Sequence, residues 1–254
     1  MKYLNARPLI RGWPGSVEFD YPSALCQRLA TGQLEVALVS SFEFLRNPIY
    51  RIIDGVSISS DGPVHSVVVA HRGAFSGIEQ IELDPASETA ANLLRCLLAE
   101  FGLTARLTGG DSESAGLSHA RLIIGDQAIR FRQNHADAYQ FWDLGEQWKK
   151  LTGLPFVFAL WLIRPEVPDA KSIAQRLREL RDKNLADIAA IVSDAVADGA
   201  HNKQTITQEF LDRYYHEYLR FGLGAREKQG LQTFADLCEK HRVLPKRGPE
   251  FSLV

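Results

Sequence analysis

Apolar residues in this chain fall into two kinds of run. Residues 34–40 (LEVALVS), Val64 with Val67, Val68 and Val69, 81–83, 121–124 and 155–163 are short, nearly unbroken stretches. Such runs, rich in β-branched residues, predict strands buried on both faces. Other segments carry apolar residues at helical spacing. Leu25 and Leu29 share a face over 22–32, and Leu93, Leu94, Leu97 and Leu98 share one over 90–101. Helices are also expected at 40–47, around Trp148, and over 168–181, 184–198, 207–219 and 225–241. Strands alternating with helices through the first two thirds, then a mostly helical remainder, predict an α/β fold.

The polar positions gather at the joints. In SISSDGPVHSVVV (57–69), residues Ser59 to Pro63 are expected to form a tight polar turn ahead of a core strand. Ser40 and Ser41 stand where a strand ends and a helix begins; Ser87 and Thr89 repeat this pattern, and Gly125 and Asp126 repeat it again. Serine or threonine there caps orphan N–H groups, and the same geometry seats an anion. In open α/β sheets ligands bind beyond the carboxyl ends of strands, so these joints are expected to converge. Near the start, Asn5 and Arg7 sit at a turn before Pro8. An amide supplies both donor and acceptor, and a guanidinium pairs with a carboxylate.

At 254 residues the chain allows two lobes or one large α/β unit. The long apolar strands near 64–70 and 155–163 bracket the middle third. If both cross between lobes, 66–157 is an inserted lobe and 1–65 with 158–254 is the other. The net charge of -2 gives no general attraction to nucleic acid or to an anionic membrane, so any anion site is local. Cys26, Cys96 and Cys238 are odd in number and lack metal-ligand spacing, which predicts buried free thiols in a reducing compartment. No apolar run reaches membrane-spanning length and the N-terminus lacks a secretion-signal core; a cytoplasmic location is expected. P-loop, dinucleotide and nucleophile-elbow patterns are absent from the sequence.

Six strings occur in one order: YLNARPL (3–9), VSSFEFLRNP (39–48), SISSDGPVHSVVV (57–69), LDPASETAANLL (83–94), IIGDQA (123–128) and DLGEQWKKLTGLPFVFALW (143–161). Together they resemble the chorismate dehydratases of the futalosine route to menaquinone. The resemblance implies a two-lobed fold like type II periplasmic binding proteins, with the lobes joined by two crossing strands. It also implies a lyase that removes water from chorismate without metal or cofactor, its one partner being that small molecule; neither nucleic acid nor membrane is involved. It implies catalytic roles for Asn5, Ser66 and Asp126, and substrate binding by Arg7, Ser40, Ser41, Ser60, Ser87, Thr89 and Gly125. The general base is left open among Asp126, Glu43 and a substrate carboxylate. Nothing in the sequence bears on oligomeric state.

The chain departs from the family pattern in three places. A full strand commonly precedes YLN, whereas here only Met1 and Lys2 do; Arg commonly stands at His65, and Arg-Thr-Ser where this chain has Glu88-Thr89-Ala90. A non-catalytic carboxylate-binding protein of the same fold and the sister naphthoate synthase are the competing expectations. The YLN opening and the SSDGPV turn favour the dehydratase.

Overall fold

The computed structural model describes residues 3–109, 117–201, 206–246, 248 and 250–254. The strands, in order, are β1 (Val36–Ser40), β2 (Arg51–Ser60), β3 (Val67–His71), β4 (Gln80–Leu83), β5 (Arg106–Gly109), β6 (His119–Ile124), β7 (Gln140–Asp143) and β8 (Phe156–Ile163). The helices are α1 (Arg7–Ile10), α2 (Pro22–Ala30), α3 (Ser41–Arg46), α4 (Glu88–Glu100), α5 (Gly125–Asn134), α6 (Leu144–Thr152), α7 (Ala170–Leu185), α8 (Ile188–His201), α9 (Gln208–Arg213) and α10 (Ala225–Lys240). A 3-10 turn, Leu4–Ala6, leads into α1, and a π-helical turn, Tyr214–Tyr218, follows α9.

Two sheets organise these elements. β8 runs between β1 and β2, antiparallel to both. The second sheet has the order β5-β4-β6-β3-β7, with β4 parallel to its neighbours and β3 antiparallel to its own. The chain passes from the first sheet to the second through 61–66 and returns through α6 and 153–155. Phe156, Val157, Ala159, Leu160, Leu162 and Ile163 of β8 are all essentially inaccessible. Each fully buried Val, Leu, Ile or Phe contributes about 1.5–3 kcal/mol, which explains why this unbroken apolar run takes the central place.

The two sheets share one continuous core. Trp148 of α6 is wholly buried, donates its indole N–H to the Pro155 carbonyl at 3.1 Å, and packs edge-on against Phe156 and Phe234. One aromatic cluster thus ties the return crossing to β8 and α10. Close approach is needed here: a Cβ on Gly230 of α10 would lie 2.1 Å from the Pro155 carbonyl oxygen. A smaller apolar cluster of Val68, Ala70, Ile123 and Ala128 lies between the second sheet and α5. Cys26, Cys96 and Cys238 are free and buried. Burial, then the Glu43 carboxylate, pushes the Cys26 thiol up to about 12.

Local structure departs from the sequence expectation where pairing overrides turn chemistry. Ser59 and Ser60 belong to β2, held by pairing with Val157 and Phe156, and the reversal starts only at Asp61. Val64 lies in the crossing segment rather than in β3. Gly125 and Asp126 are the first residues of α5, not a separate turn. β5 and β7 had no distinct signature; each is four residues long at an edge of its sheet.

Candidate active site

Four separate stretches of chain meet between the sheets. Tyr3 and Asn5 come from the N-terminal turn, Ser40 from the end of β1, Ser66 from the first crossing and Gly125 from the start of α5. These residues line one cavity of about 50 Å³, closed further by Pro22, Ile58, Val64, Val67, Ile124, Phe158, Ala159 and Leu219. Ligand pockets usually measure about 300–1,000 Å³, so this cavity is far smaller than a usual ligand site. A separate groove of about 620 Å³ is lined by Tyr21, Ser23, Asp84, Arg121 and Gln127 among others.

Each polar side chain is held by its local structure. Ser66 Oγ accepts a hydrogen bond from the Tyr214 hydroxyl at 2.8 Å. Tyr214 is wholly buried, and burial pushes its phenol well above the ordinary value, so it remains a donor. The Ser66 proton is then free to point at a ligand. Ser40 Oγ bonds Thr89 Oγ1, which also accepts the Phe42 N–H at 3.0 Å. The start of α3 therefore meets the start of α4 across the gap between the sheets. Ser41 lies one step behind and donates to the Val157 carbonyl at 2.7 Å.

Asn5 Oδ1 and Tyr3 Oη are buried and have no hydrogen-bond partner among the described residues. Buried polar atoms are nearly always paired, and one left unmade costs about 1–3 kcal/mol. The turn that carries them is itself well anchored: the Leu4 N–H donates to Asp126 Oδ1 at 3.0 Å, and the Leu4 carbonyl accepts from the Tyr215 hydroxyl at 2.9 Å. Burial pushes the Asp126 carboxyl up, and the Leu4 N–H with Arg130 and Arg7 pulls it partly back.

The remaining expected residues are engaged outside the cavity. Arg7 pairs with Asp198 at 2.8 Å toward solvent. Ser60 Oγ donates to the Gly62 carbonyl at 3.0 Å, closing the turn beside α6. Ser87 caps α4 by accepting the Ala90 N–H. Glu43 is wholly buried but bonded to Arg46, Asn47 and Tyr50. His65 packs against Tyr218 with ring centroids 3.9 Å apart and the planes tilted by 31°; burial, then Arg132 and Arg213, pushes its imidazole down to about 4, leaving it neutral at pH 7. Glu88 pairs with Arg46 at 2.8 Å.

Two residues that shape the site escaped the sequence reading. Tyr3 is one. The other is Asp143, whose two oxygens collect the N–H groups of Val64, His65, Gly145 and Glu146. A trace of it was readable, since Asp143 followed three residues later by Glu146 is a helix-start pattern.

Gly125 is fixed by its surroundings. Its φ is +64°, its N–H donates to the Ser66 carbonyl at 2.7 Å, and a Cβ would lie 2.8 Å from the Tyr3 ring. Gly125→Ala is therefore expected to displace Tyr3, lower activity and cost about 1–2 kcal/mol, seen as a fall in Tm of roughly 2–8 °C. An unchanged melting curve would remove the claim of close packing.

The chain matches a family described as menaquinone biosynthesis over residues 1–240. It is 30% identical to the chorismate dehydratase of Thermus thermophilus, covering 92% of both chains. It is 26% identical to that of Campylobacter jejuni, covering 93% of this chain and 91% of the relative. In fold it resembles the alkanesulfonate-binding protein SsuA from Xanthomonas axonopodis pv. citri bound to MOPS, with a TM-score of 0.68 at 16% identity over 99% of this chain and 91% of that one. Built on the binding-protein architecture and matched along nearly its whole length, the chain belongs to the menaquinone biosynthesis family.

Proposed function

We propose that this protein is a chorismate dehydratase. The observation that carries the reading is the convergence of Asn5, Ser40 and Ser66, from three distant stretches, on one cavity between the sheets. The lobes in this reading are 1–65 with 158–254, and 66–157, closing on the substrate. The family match and the two dehydratase relatives give the reaction.

Chorismate has two carboxylates, a ring hydroxyl and an enolpyruvyl ether. The C–H bond beside the ether oxygen breaks and its electron pair forms a ring double bond. The adjacent C–O bond breaks, and water leaves an aromatic 3-[(1-carboxyvinyl)oxy]benzoate. The lost proton is conjugated through a double bond to the ring carboxylate, so donors around that carboxylate stabilise the charge that develops. Ser66, with its own oxygen already accepting from Tyr214, and the Ser40–Thr89 pair beside the start of α4 are such donors. Asn5 positions the reacting carbon and the leaving hydroxyl. Of the bases considered, Glu43 and Asp126 are hydrogen-bonded elsewhere, which favours a carboxylate of the substrate itself. Asp126 then acts by holding the Leu4 N–H and thereby Asn5. Arg7, Ser60 and Ser87 serve the scaffold, and the free, buried thiols of Cys26, Cys96 and Cys238 suit an enzyme working in the reducing cytoplasm.

The test is to mix the protein with chorismate, follow the ultraviolet spectrum and weigh the product. Loss of the diene absorbance together with loss of one water is the expected result. Binding with the diene intact would leave a carboxylate-binding protein and end the dehydratase reading.

A further inference from the structure

The Tyr3 hydroxyl is a buried donor with no partner among the described residues, on the wall of the same cavity and two residues along the chain from Asn5 Oδ1, a buried acceptor likewise without a partner among them. The fold does not treat this tyrosine as filler. Its ring lies against Gly125 so closely that a Cβ there would overlap it, and the next residue, Leu4, is clamped by Asp126 and Tyr215. Leaving a clamped phenol unpaired is unfavourable unless something else accepts from it. A donor and an acceptor carried by two residues that line one small cavity match one group in particular: an alcohol, which both accepts and donates a hydrogen bond.

We propose that Tyr3 Oη donates a hydrogen bond to the departing ring hydroxyl of the substrate while Asn5 Oδ1 accepts that hydroxyl's own hydrogen. The inference rests on the dehydratase reading and names the pair of groups that grips the leaving oxygen. As the C–O bond breaks, its electron pair moves to that oxygen, and the proton lost from the neighbouring carbon completes the water. Tyr3 supplies a hydrogen bond throughout and ends the reaction unchanged. Burial, then the nearby Asp84 and Asp126 carboxylates, pushes its phenol far above the ordinary range, so it stays protonated and able to donate. The same carboxylates disfavour a phenolate, which would repel a dianionic substrate.

Tyr3→Phe isolates the hydroxyl because the ring, and with it the contact on Gly125, is kept. Turnover of chorismate is expected to fall roughly ten- to a hundred-fold, with KM changed less than threefold, since the bond strengthens as charge builds on the leaving oxygen. Tm is expected to stay level or rise, because the hydroxyl removed has no partner among the described residues to lose; a structural hydroxyl would lower it. Tyr3→Ala, which also loses the ring, is expected to lower both turnover and Tm. Wild-type turnover with Tyr3→Phe unchanged in kcat would overturn the role of Tyr3 alone. A drop in Tm matching the drop in activity would reduce Tyr3 to a packing residue. Wild-type protein that leaves chorismate intact would sink the dehydratase reading, and this inference with it.

Discussion

Asn5→Ala is expected to lower the turnover of chorismate by roughly two to three decades while the protein stays folded. The size follows from the amide's surroundings. Oδ1 is buried in the cavity wall without a partner among the described residues, so whatever it binds is met in a site that water does not screen. The same amide carries two N–H donors, and one donor aimed at developing charge in such a site is worth about 2.7–4 kcal/mol in the transition state, or two to three powers of ten in rate. Stability should barely change, because Leu4 on one side and Arg7 on the other carry the anchoring contacts of this turn. Substrate should still bind through Ser40, Ser66 and Thr89, so the loss belongs in kcat. The measurement is kcat and KM from the ultraviolet assay, beside chorismate binding by calorimetry. Normal turnover by this variant would deny Asn5 any catalytic part. A Kd weakened as much as kcat would recast it as a binding group.

Ser40, Thr89 and Gly125 are legible in the sequence as strand-to-helix joints, while the packing of Tyr3 and the distant partners of Asp143 are not, for a physical reason. Strand ends that pass into helices must satisfy orphan N–H groups, and the residues that do so are small and polar wherever they occur. Ser40, Thr89 and Gly125 carry that local mark, and sheet topology then brings the joints together. Local chemistry cannot say which joints face the cleft. Ser87 has the same signature as Thr89 two residues away, yet its hydroxyl is consumed by the Ala90 N–H while that of Thr89 reaches Phe42 and Ser40. One step around a helix decides it. Ser59 and Ser60 looked like turn residues because their side chains favour turns, but pairing with β8 fixes them in strand. Tyr3 reads as an ordinary aromatic, since nothing in its neighbours announces a missing partner. Asp143 depends on partners 78 and 79 residues earlier, beyond the reach of any periodicity.

Asp143→Ala is expected to destabilise the protein more than any other single change described, by about 3–5 kcal/mol. The carboxylate is almost fully buried and accepts from four backbone N–H groups in two segments. Two of them, at Gly145 and Glu146, open α6; the other two, at Val64 and His65, belong to the first crossing between the sheets. Those last two have no alternative, because the crossing turns sharply and His65 sits at φ 61°. The crossing and the start of α6 are in close contact: a Cβ on Gly145 would come within 2.5 Å of the Gly62 carbonyl and 2.6 Å of Ser60 Oγ. Burial pushes the Asp143 carboxyl up, and the N–H groups of Val64, His65 and Glu146, with Arg132 at 3.7 Å, draw it back. Asp143→Asn keeps the shape but turns one acceptor into a donor facing other donors, so it should also destabilise, and Asp143→Glu should not rescue it, because the extra methylene has no room beside Gly145. Denaturant melts of the three variants measure the effect. Activity should fall with stability, since Val64 and Ser66 of the cavity hang from the same segment. If Asp143→Ala melts within about 1 kcal/mol of the wild type, the crossing is held by something other than this carboxylate. The placement of Ser66 would then need a different cause.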